Sequence, residues 1–252
     1  MKRIALSVFV AFLLIGAPLA CAESLLELPF AKKLKLAKVG DEDAQMAVAA
    51  AYEQGNDAKQ DTAEAAKWYR KAALLGNLEA QFRLARIVSK GAKGLKADLP
   101  TSAKLYEAAA SGGHVEAQNA IGQAYQNGAG VTADLAKAVQ WYRKAADAKF
   151  AAAENNLGIL YLNGKGVTRD LNEAFKLFER AANQGDGWGL NNLGGMHEMG
   201  WGTPKNPAKA TEYYKQALAK GVTPAKDNLA RLTPKSETVT PTSGTTPTPA
   251  VN

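Results

Sequence analysis

The sequence predicts an all-α fold, an α-solenoid in which antiparallel helix pairs stack side by side. The first observation is a period of 36 or 37 residues, marked by the small residue that opens each copy: Ala44, Ala80, Ala117, Ala153, Gly189 and Ala225. The second is that each copy holds two stretches of helical apolar spacing around a connection that is usually rich in glycine. Because one helix pair cannot bury its apolar face alone, this period predicts neighbours that cover one another.

Composition and charge are ordinary for a globular chain. Hydrophobic residues make up 46% of the 252 residues and charged residues 22%, which is enough to bury a core. The formal net charge is +7, although Lys2 and Arg3 lie in a leader that we expect to be removed. A mildly basic surface suits an acidic protein, an anionic polysaccharide or lipid headgroups. Nucleic acid is not an expected partner, because basic and acidic residues alternate on helical faces.

Residues 1–22 have the layout of a secretory signal peptide. Basic residues precede an apolar run over 4–17, which is followed by Ala20-Cys21-Ala22. The run is shorter than the roughly 20 residues that a membrane span needs, so no transmembrane helix is expected in the mature chain. The leader predicts an exported protein, either periplasmic or secreted.

Two forms of processing are consistent with this leader. Cleavage after Ala22 would release a soluble chain that begins at Glu23 and has no cysteine for a disulfide. The alternative is a lipid anchor on Cys21, as in bacterial lipoproteins. Pro18 argues against it, because the signals of these lipoproteins have a leucine-rich box at that place. The soluble product is the first expectation, and lipidation of Cys21 is the second.

The first helices of the repeats are predicted from their apolar spacing. Residues 23–43 are predicted to be an N-terminal capping helix, and five full repeats follow at 44–79, 80–116, 117–152, 153–188 and 189–224. The first helix of each repeat carries an i, i+4 pair on one face, which we expect to be buried. These pairs are Val48/Tyr52, Leu84/Val88, Ile121/Tyr125, Leu157/Tyr161 and Leu193/His197.

The connection inside each repeat predicts a helix end and a helix start. Gly128, Gly164 and Gly200 follow first helices, where glycine accepts a positive φ without steric cost. No strand is predicted before these glycines, so a phosphate-binding loop is not expected. Each connection closes on a side chain that can cap the second helix. These residues are Asp61, Asp98, Asp134, Asp170 and Asn206.

The chain is predicted to end in a short helix and a tail. Residues 225–232 repeat only the start of a first helix, which indicates a C-terminal capping helix. From Thr233 the composition changes to threonine and proline with few apolar residues, so residues 233–252 are predicted to be disordered. The tail is either idle or a spacer that reaches a partner.

The repeat is similar to a known one. The pattern A-x-x-x-L-G-x-x-Y, then G-x-G-V-x-x-D, then K-A-x-x-W-Y-x-K-A-A-x-x-G resembles the Sel1-like repeat, a relative of the tetratricopeptide repeat with a longer inter-helix loop. The resemblance covers about Asp43 to Leu232 and implies a right-handed superhelix. The fifth repeat departs from the pattern, with His197 in place of tyrosine. Some exported members staple each repeat with a disulfide, for which this chain lacks the cysteines.

No catalytic constellation is evident in the sequence. His114 and His197 have no cysteine or carboxylate cluster at ligand spacing, so neither a metal site nor another cofactor is expected. The motifs G-x-S-x-G, S-x-x-K and H-E-x-x-H are absent. We expect His197 to lie in the core or at its rim, and we expect the protein not to be an enzyme.

Asparagines in the first helices are the predicted partner-binding residues. Asn119, Asn155 and Asn191 share one repeat position, and Asn156, Asn192 and Asn228 share the next one. In tetratricopeptide-like solenoids, first-helix asparagines hold the backbone of an extended peptide, because an amide both donates and accepts. The alternative is that these residues cap helices or bridge neighbouring repeats.

Two tryptophans lie outside the framework positions. Trp188 is at a turn between repeats, and Trp201 lies between the two glycines of a connection. Tryptophan is enriched where partners dock, whereas a tryptophan in a loop often folds over its own helix. Both interpretations remain open from the sequence.

These features favour a non-enzymatic adaptor in the cell envelope that binds other proteins, through an extended peptide or an acidic surface. A glycan-binding protein, or a component of a polysaccharide or secretion complex, is the first alternative, favoured by the positive charge and the tryptophans. The second alternative is a β-lactam-binding or β-lactam-hydrolysing protein, because some secreted relatives of the repeat have that association. The missing S-x-x-K motif argues against it.

Overall fold

A computed structural model describes Leu25 and residues 27–232. The predicted signal peptide with Cys21 and the predicted tail at 233–252 lie outside the described residues. Within the described part, the chain forms twelve helices and no strand beyond an isolated bridge between Ala92 and Leu95. The helices are α1 (Phe30–Lys38), α2 (Glu42–Gln54), α3 (Thr62–Leu74), α4 (Leu78–Lys90), α5 (Leu99–Ser111), α6 (Val115–Asn127), α7 (Leu135–Asp147), α8 (Ala151–Asn163), α9 (Leu171–Asn183), α10 (Gly187–Met199), α11 (Pro207–Ala219) and α12 (Pro224–Leu232).

Consecutive helices pack against each other in two compact units, which divide between Ala97 and Asp98. The first unit contains α1 to α4, and the second contains α5 to α12. Helices α2, α4, α6, α8 and α10 are the first helices of the five repeats, and the helix after each is its second helix. The predicted all-α stacking of helix pairs is therefore confirmed.

The predicted helix boundaries follow from local chemistry. All five predicted caps accept a backbone N–H of the second helix on a side-chain oxygen. Gly55, Gly128, Gly164 and Gly200 end first helices with φ between 65° and 74°, a conformation that costs glycine little. The bonds from the caps satisfy backbone N–H groups that have no partner within the first turn of a helix.

A glycine in the first helix allows close packing of an aromatic ring from the second helix. A Cβ atom on Gly158 would lie 2.7 Å from the Phe178 ring. The same contact joins Gly122 to Tyr142, and Gly194 to Tyr214, at 2.8 Å in both cases. The glycine of the L-G pair in the repeat pattern thus serves packing within the helix pairs of the third, fourth and fifth repeats.

The second glycine of the connection serves packing between repeats. A Cβ atom on Gly130 would lie 2.1 Å from the carbonyl oxygen of Leu99, at the start of the preceding second helix. A Cβ atom on Gly202 would lie 2.4 Å from the carbonyl oxygen of Leu171. Both positions therefore require glycine, because the neighbouring backbone leaves no room for a Cβ atom and because φ is positive.

The apolar face of the first helices is buried, with two differences from the prediction. Val48, Leu84, Ile121, Leu157 and Leu193 are all buried. Tyr52 and Tyr161 are only half-buried. The ring of Tyr52 packs edge-on against Phe30 with centroids 5.5 Å apart. The Tyr161 hydroxyl accepts a hydrogen bond from Arg143 Nη2 at 2.5 Å, so a polar contact keeps this side chain near the surface.

The turn between the third and fourth repeats departs from the other turns. Five turns between helix pairs hold a glycine of positive φ, namely Gly40, Gly76, Gly113, Gly185 and Gly221. The corresponding residue in the remaining turn is Lys149, with φ of 62°. The left-handed region is unfavourable for a residue with a Cβ atom. The next residue, Phe150, also provides no side-chain cap to α8.

Candidate interaction surface

The two predicted asparagine ladders are joined by hydrogen bonds between repeats. Asn156 Nδ2 donates to Asn119 Oδ1 at 3.0 Å, and Asn192 Nδ2 donates to Asn155 Oδ1 at 2.7 Å. Asn228 Nδ2 donates to Asn191 Oδ1 at 2.9 Å. Each bond links consecutive first helices of the second unit, so the structure gives these asparagines the bridging role that the sequence left as an alternative.

Burial differs along these asparagines. Asn119 and Asn155 are 9% and 7% exposed, whereas the other four are half-buried. Within the described part of the chain, Asn191 Nδ2 and Asn192 Oδ1 have no hydrogen-bond partner. One donor and one acceptor therefore remain on adjacent residues of α10. Their role in partner binding stays a prediction.

A second set of polar contacts connects the two helices of a repeat. The hydroxyl of Tyr69 donates to Glu53 Oε2 at 2.7 Å, and that of Tyr214 donates to Glu198 Oε2 at 2.7 Å. Tyr142 donates to Gln126 Oε1 at 2.9 Å. In each case the acceptor lies 16 residues before the tyrosine.

The fourth repeat replaces both partners of this contact together. Phe178 has no hydroxyl, and the residue 16 positions earlier is Leu162, which has no acceptor. The spacing of 16 residues and the paired replacement are both visible in the sequence, but this contact was not predicted from them. As a result, the apolar Leu162 lies between the polar Gln126 and Glu198 at the equivalent positions of neighbouring repeats. These residues lie on one side of α6, α8, α10 and α12, which we call the first-helix surface of the second unit.

Glu198 is held as a carboxylate by three donors. Arg231 Nε and Nη2 contact its two oxygens at 2.7 Å each, and the Tyr214 hydroxyl provides the third bond. The hydrogen bond from Arg231 is the largest cause that lowers the pKa of the Glu198 carboxyl. Burial, followed by the bond to Glu198, raises the pKa of the Tyr214 hydroxyl. Glu198 is thus a charged, fully bonded group rather than a proton donor.

A pocket of about 250 Å³ lies beside this ion pair at the end of the second unit. It is formed by residues of α8, α10, α11 and α12 and by the connection after α10. Its lining consists of Leu162, Asn191, Asn192, Gly195, Met196, Glu198, Met199, Trp201, Tyr214, Asn228 and Arg231. The pocket therefore combines an apolar wall with side-chain amides and one neutralised ion pair.

The two candidate tryptophans lie in different settings. Trp201 is partly buried, packs against the core formed by α9 to α12 and lines the pocket. Trp188, in the first turn of α10, is 52% exposed and does not line this pocket. The structure brings Trp201, Asn191 and Asn192 together and leaves Trp188 apart from them.

His197 lies in the core, as expected. It is 5% exposed, stacks on the Tyr213 ring with centroids 5.5 Å apart, and meets the Phe175 ring edge-on at 5.5 Å. Burial, with the nearby charge of Lys209, lowers the pKa of the imidazole. Among the described atoms, its buried Nδ1 has no hydrogen-bond partner. The ring thus fills the position of the pattern's tyrosine.

Buried Glu154 occupies a position that holds glutamine in earlier repeats. Gln45 Nε2 and Gln118 Nε2 donate to backbone carbonyls eight residues earlier, at 3.3 and 3.2 Å. A glutamate cannot donate, and in the fourth repeat Arg180 Nη2 bonds the corresponding carbonyl of Ala146 at 2.6 Å. Arg180 Nε also bonds Glu154 Oε1 at 2.7 Å, so this buried carboxylate has a structural explanation.

Two kinds of feature are absent from the described residues. No group of three or more His, Cys, Asp and Glu side chains in that part of the chain has the arrangement of a metal site. None of the helices there has both the length and the apolar character that a membrane crossing requires.

Helix pairs stacked in sequence, with a polar first-helix surface, define a helical-repeat protein of the tetratricopeptide-like class. The family model "Sel1 repeat" matches residues 42–77, 78–114, 115–150, 151–186 and 189–222. The chain therefore belongs to the Sel1 repeat family, whose repeats typically mediate protein–protein interactions.

Solved structures of Sel1-type proteins are similar to the chain. A protective antigen from uropathogenic Escherichia coli, c5321, with an SLR fold, is 32% identical at a TM-score of 0.73, over 79% of this chain and 43% of that chain. This chain thus spans less than half of the antigen's chain. A Sel1 repeat protein from Oxalobacter formigenes is 27% identical at a TM-score of 0.72, over 80% and 86% of the two chains. No curated protein matches significantly.

Proposed function

We propose that the protein is an exported, non-enzymatic adaptor that holds an extended segment of another protein on the first-helix surface of its second unit. The observation that carries the proposal is the pair of unused amide atoms, Asn191 Nδ2 and Asn192 Oδ1. Their side chains are fixed by the bonds to Asn228 and Asn155. A fixed donor beside a fixed acceptor matches the C=O and N–H groups of a peptide backbone.

The state of the buried carboxylates supports a binding role over a catalytic one. Glu154 is bonded by Arg180 and Gln184, and Glu198 is bonded by Arg231 and Tyr214. A general base or nucleophile needs a free group within reach of a substrate. A β-lactam turnover assay tests this part of the proposal, and we expect no hydrolysis above the uncatalysed rate.

Export rests on the sequence of residues 1–22. Cell fractionation, with mass spectrometry of the mature N-terminus, tests it. The expected product begins at Glu23. A lipid on Cys21 would make the protein a membrane-anchored adaptor, whereas an intact Met1 in the cytoplasm would contradict export.

The binding surface is tested with two pairs of substitutions. Gln123→Glu with Ile159→Glu places two charges on the first-helix surface, where both side chains are at least partly exposed. Gln140→Glu with Leu218→Glu introduces the same two glutamates at exposed positions of second helices. Proteins crosslinked to the exported chain in cells are captured and quantified by mass spectrometry. We expect loss of the captured partner with the first pair and its retention with the second.

Equal capture by all variants would contradict the proposed surface. A polysaccharide is the competing ligand class, so binding to peptidoglycan and to an anionic polysaccharide is measured in parallel. Retention of the purified chain on either glycan, together with no captured protein, would replace the adaptor proposal with glycan binding.

A further inference from the structure

Gly195 is an unexplained glycine in the interior of α10. Glycine costs a helix interior about 1 kcal/mol relative to alanine, and the neighbouring Gly194 is explained by the Tyr214 ring at 2.8 Å. A Cβ atom on Gly195, however, would meet only the Tyr214 hydroxyl, at 3.6 Å, which is an ordinary contact. Packing among the described residues therefore does not require a glycine at this position.

The missing side chain opens the pocket beside the Glu198–Arg231 ion pair. The residues at the same repeat position in α6 and α8 are Gln123 and Ile159, and both carry long side chains. In α10 the position is bare, and Gly195 lines the pocket. The apolar wall is supplied by Leu162, Met199 and Trp201. Leu162 and Phe178 occupy the positions that hold a polar acceptor and a tyrosine in the first, third and fifth repeats.

The chemistry of the lining limits what the pocket can take. Its charged residues, Glu198 and Arg231, neutralise each other, and an inserted charge would therefore lose hydration without gaining a partner. A volume of about 250 Å³ is below the usual range of pockets for drug-sized ligands. The complementary group is small, uncharged and apolar.

We propose that this pocket takes one aliphatic side chain, of the size of leucine or methionine, from an extended segment of a partner protein. The C=O and N–H groups beside that side chain bond Asn191 Nδ2 and Asn192 Oδ1 at the rim. This inference rests on the proposed adaptor function and adds the anchor residue of the partner. A buried apolar anchor in a pocket with polar groups around it is the usual arrangement of a binding hot spot.

The test begins with a phage-displayed library of random 12-residue peptides, selected on the purified chain without residues 1–22. We expect selected peptides to share one aliphatic position. Gly195→Leu fills the pocket, and Gln140→Leu, the control, adds the same side chain at an exposed position of the second helix α7. By fluorescence titration, Gly195→Leu should weaken a selected peptide at least about tenfold, and Gln140→Leu less than about twofold.

A double-mutant cycle identifies the group in the pocket. Replacing the shared aliphatic residue of the peptide by alanine should weaken binding to the unmodified chain about tenfold, and should have almost no effect on the Gly195→Leu chain. Gly195→Ala, whose added methyl group meets no close neighbour, shows by thermal melting that the position tolerates a side chain.

The outcomes separate this inference from the proposed function. Selected peptides that bind equally well to the Gly195→Leu chain, but are lost with Gln123→Glu and Ile159→Glu, would overturn the pocket and leave the adaptor function standing. Absence of any selected peptide would overturn both. A synthetic peptide of residues 233–252 that competes for the pocket would also overturn the inference, because the chain's own tail would then be the occupant.

Discussion

At the scale of single residues, the structure shows hydrogen bonds between side chains that the sequence only placed at equivalent repeat positions. The repeat period predicted that Asn155 and Asn191 share one position and Asn192 the next. It did not predict that an amide of one ladder bonds an amide of the other, because this depends on the rotation of neighbouring helices. Exposure of individual side chains, such as Tyr161 or Trp188, depends on the same packing details.

The bond between Asn192 and Asn155 is expected to contribute to stability. Asn155→Ala leaves the Asn192 amide without its partner at 2.7 Å, and a half-buried unpaired donor costs about 1 kcal/mol or more. In a double-mutant cycle with Asn192→Ala, measured by urea unfolding, we expect a coupling free energy of about 1 kcal/mol. Additive effects of the two substitutions would show that the bond is absent in solution.

Stability is expected to depend on pH through His197. Folding lowers the pKa of this imidazole from its usual 6.5, so the unfolded chain binds more protons below that pH. The stability that depends on the neutral imidazole is present in full above pH 6.5 and is lost as the pH falls toward the lowered pKa. Urea unfolding of the chain and of His197→Phe, compared between pH 5 and 8, checks this. Parallel pH profiles would contradict it.

At the scale of helices and turns, the sequence was most informative. Glycine ends the first helices and aspartate or asparagine begins the second helices, and all five predicted caps are observed. These features are local, so a sequence can predict them. The reason for the second glycine in the connections of the third, fourth and fifth repeats was not predictable, because Gly130, Gly166 and Gly202 approach the backbone of the preceding helix pair.

The turn at Lys149 is expected to be a weak point of the second unit. Lys149→Gly removes the unfavourable contacts of a Cβ atom at φ of 62° and should raise the free energy of unfolding by about 1 kcal/mol. Ala148→Gly is the matched control. Because Ala148 has a negative φ, glycine at this position should lower the free energy of unfolding. The comparison is made by thermal and urea unfolding, and a destabilised Lys149→Gly chain would count against this turn conformation.

Two glycines inside helices are expected to respond to alanine in opposite ways. Gly158→Ala places a methyl group 2.7 Å from the Phe178 ring, which should cost about 1–3 kcal/mol. Gly195→Ala meets no close neighbour and should stabilise α10 by about 0.5–1 kcal/mol. Differential scanning calorimetry of both variants measures the signs. A stabilised Gly158→Ala chain would disprove the close helix packing.

At the scale of the whole molecule, the period of the sequence predicted the stacked helix pairs, and the family match agrees with it. The period could not show how the repeats differ in surface chemistry. Asparagine bonds between repeats occur in the second unit, whereas the corresponding positions in the first unit hold Met46 and Arg83. The pocket likewise depends on Leu162, Gly195 and Arg231, which occupy positions that the repeat pattern leaves unspecified.

Hydrogen exchange of the chain with and without a selected peptide, read by mass spectrometry, tests the central claim most directly. The first-helix surface of the second unit is the proposed binding site, so we predict increased protection in α8, α10 and α12 and unchanged exchange in α7, α9 and α11 away from their contacts with those helices. Protection confined to the second helices, or to the first unit, would contradict the account.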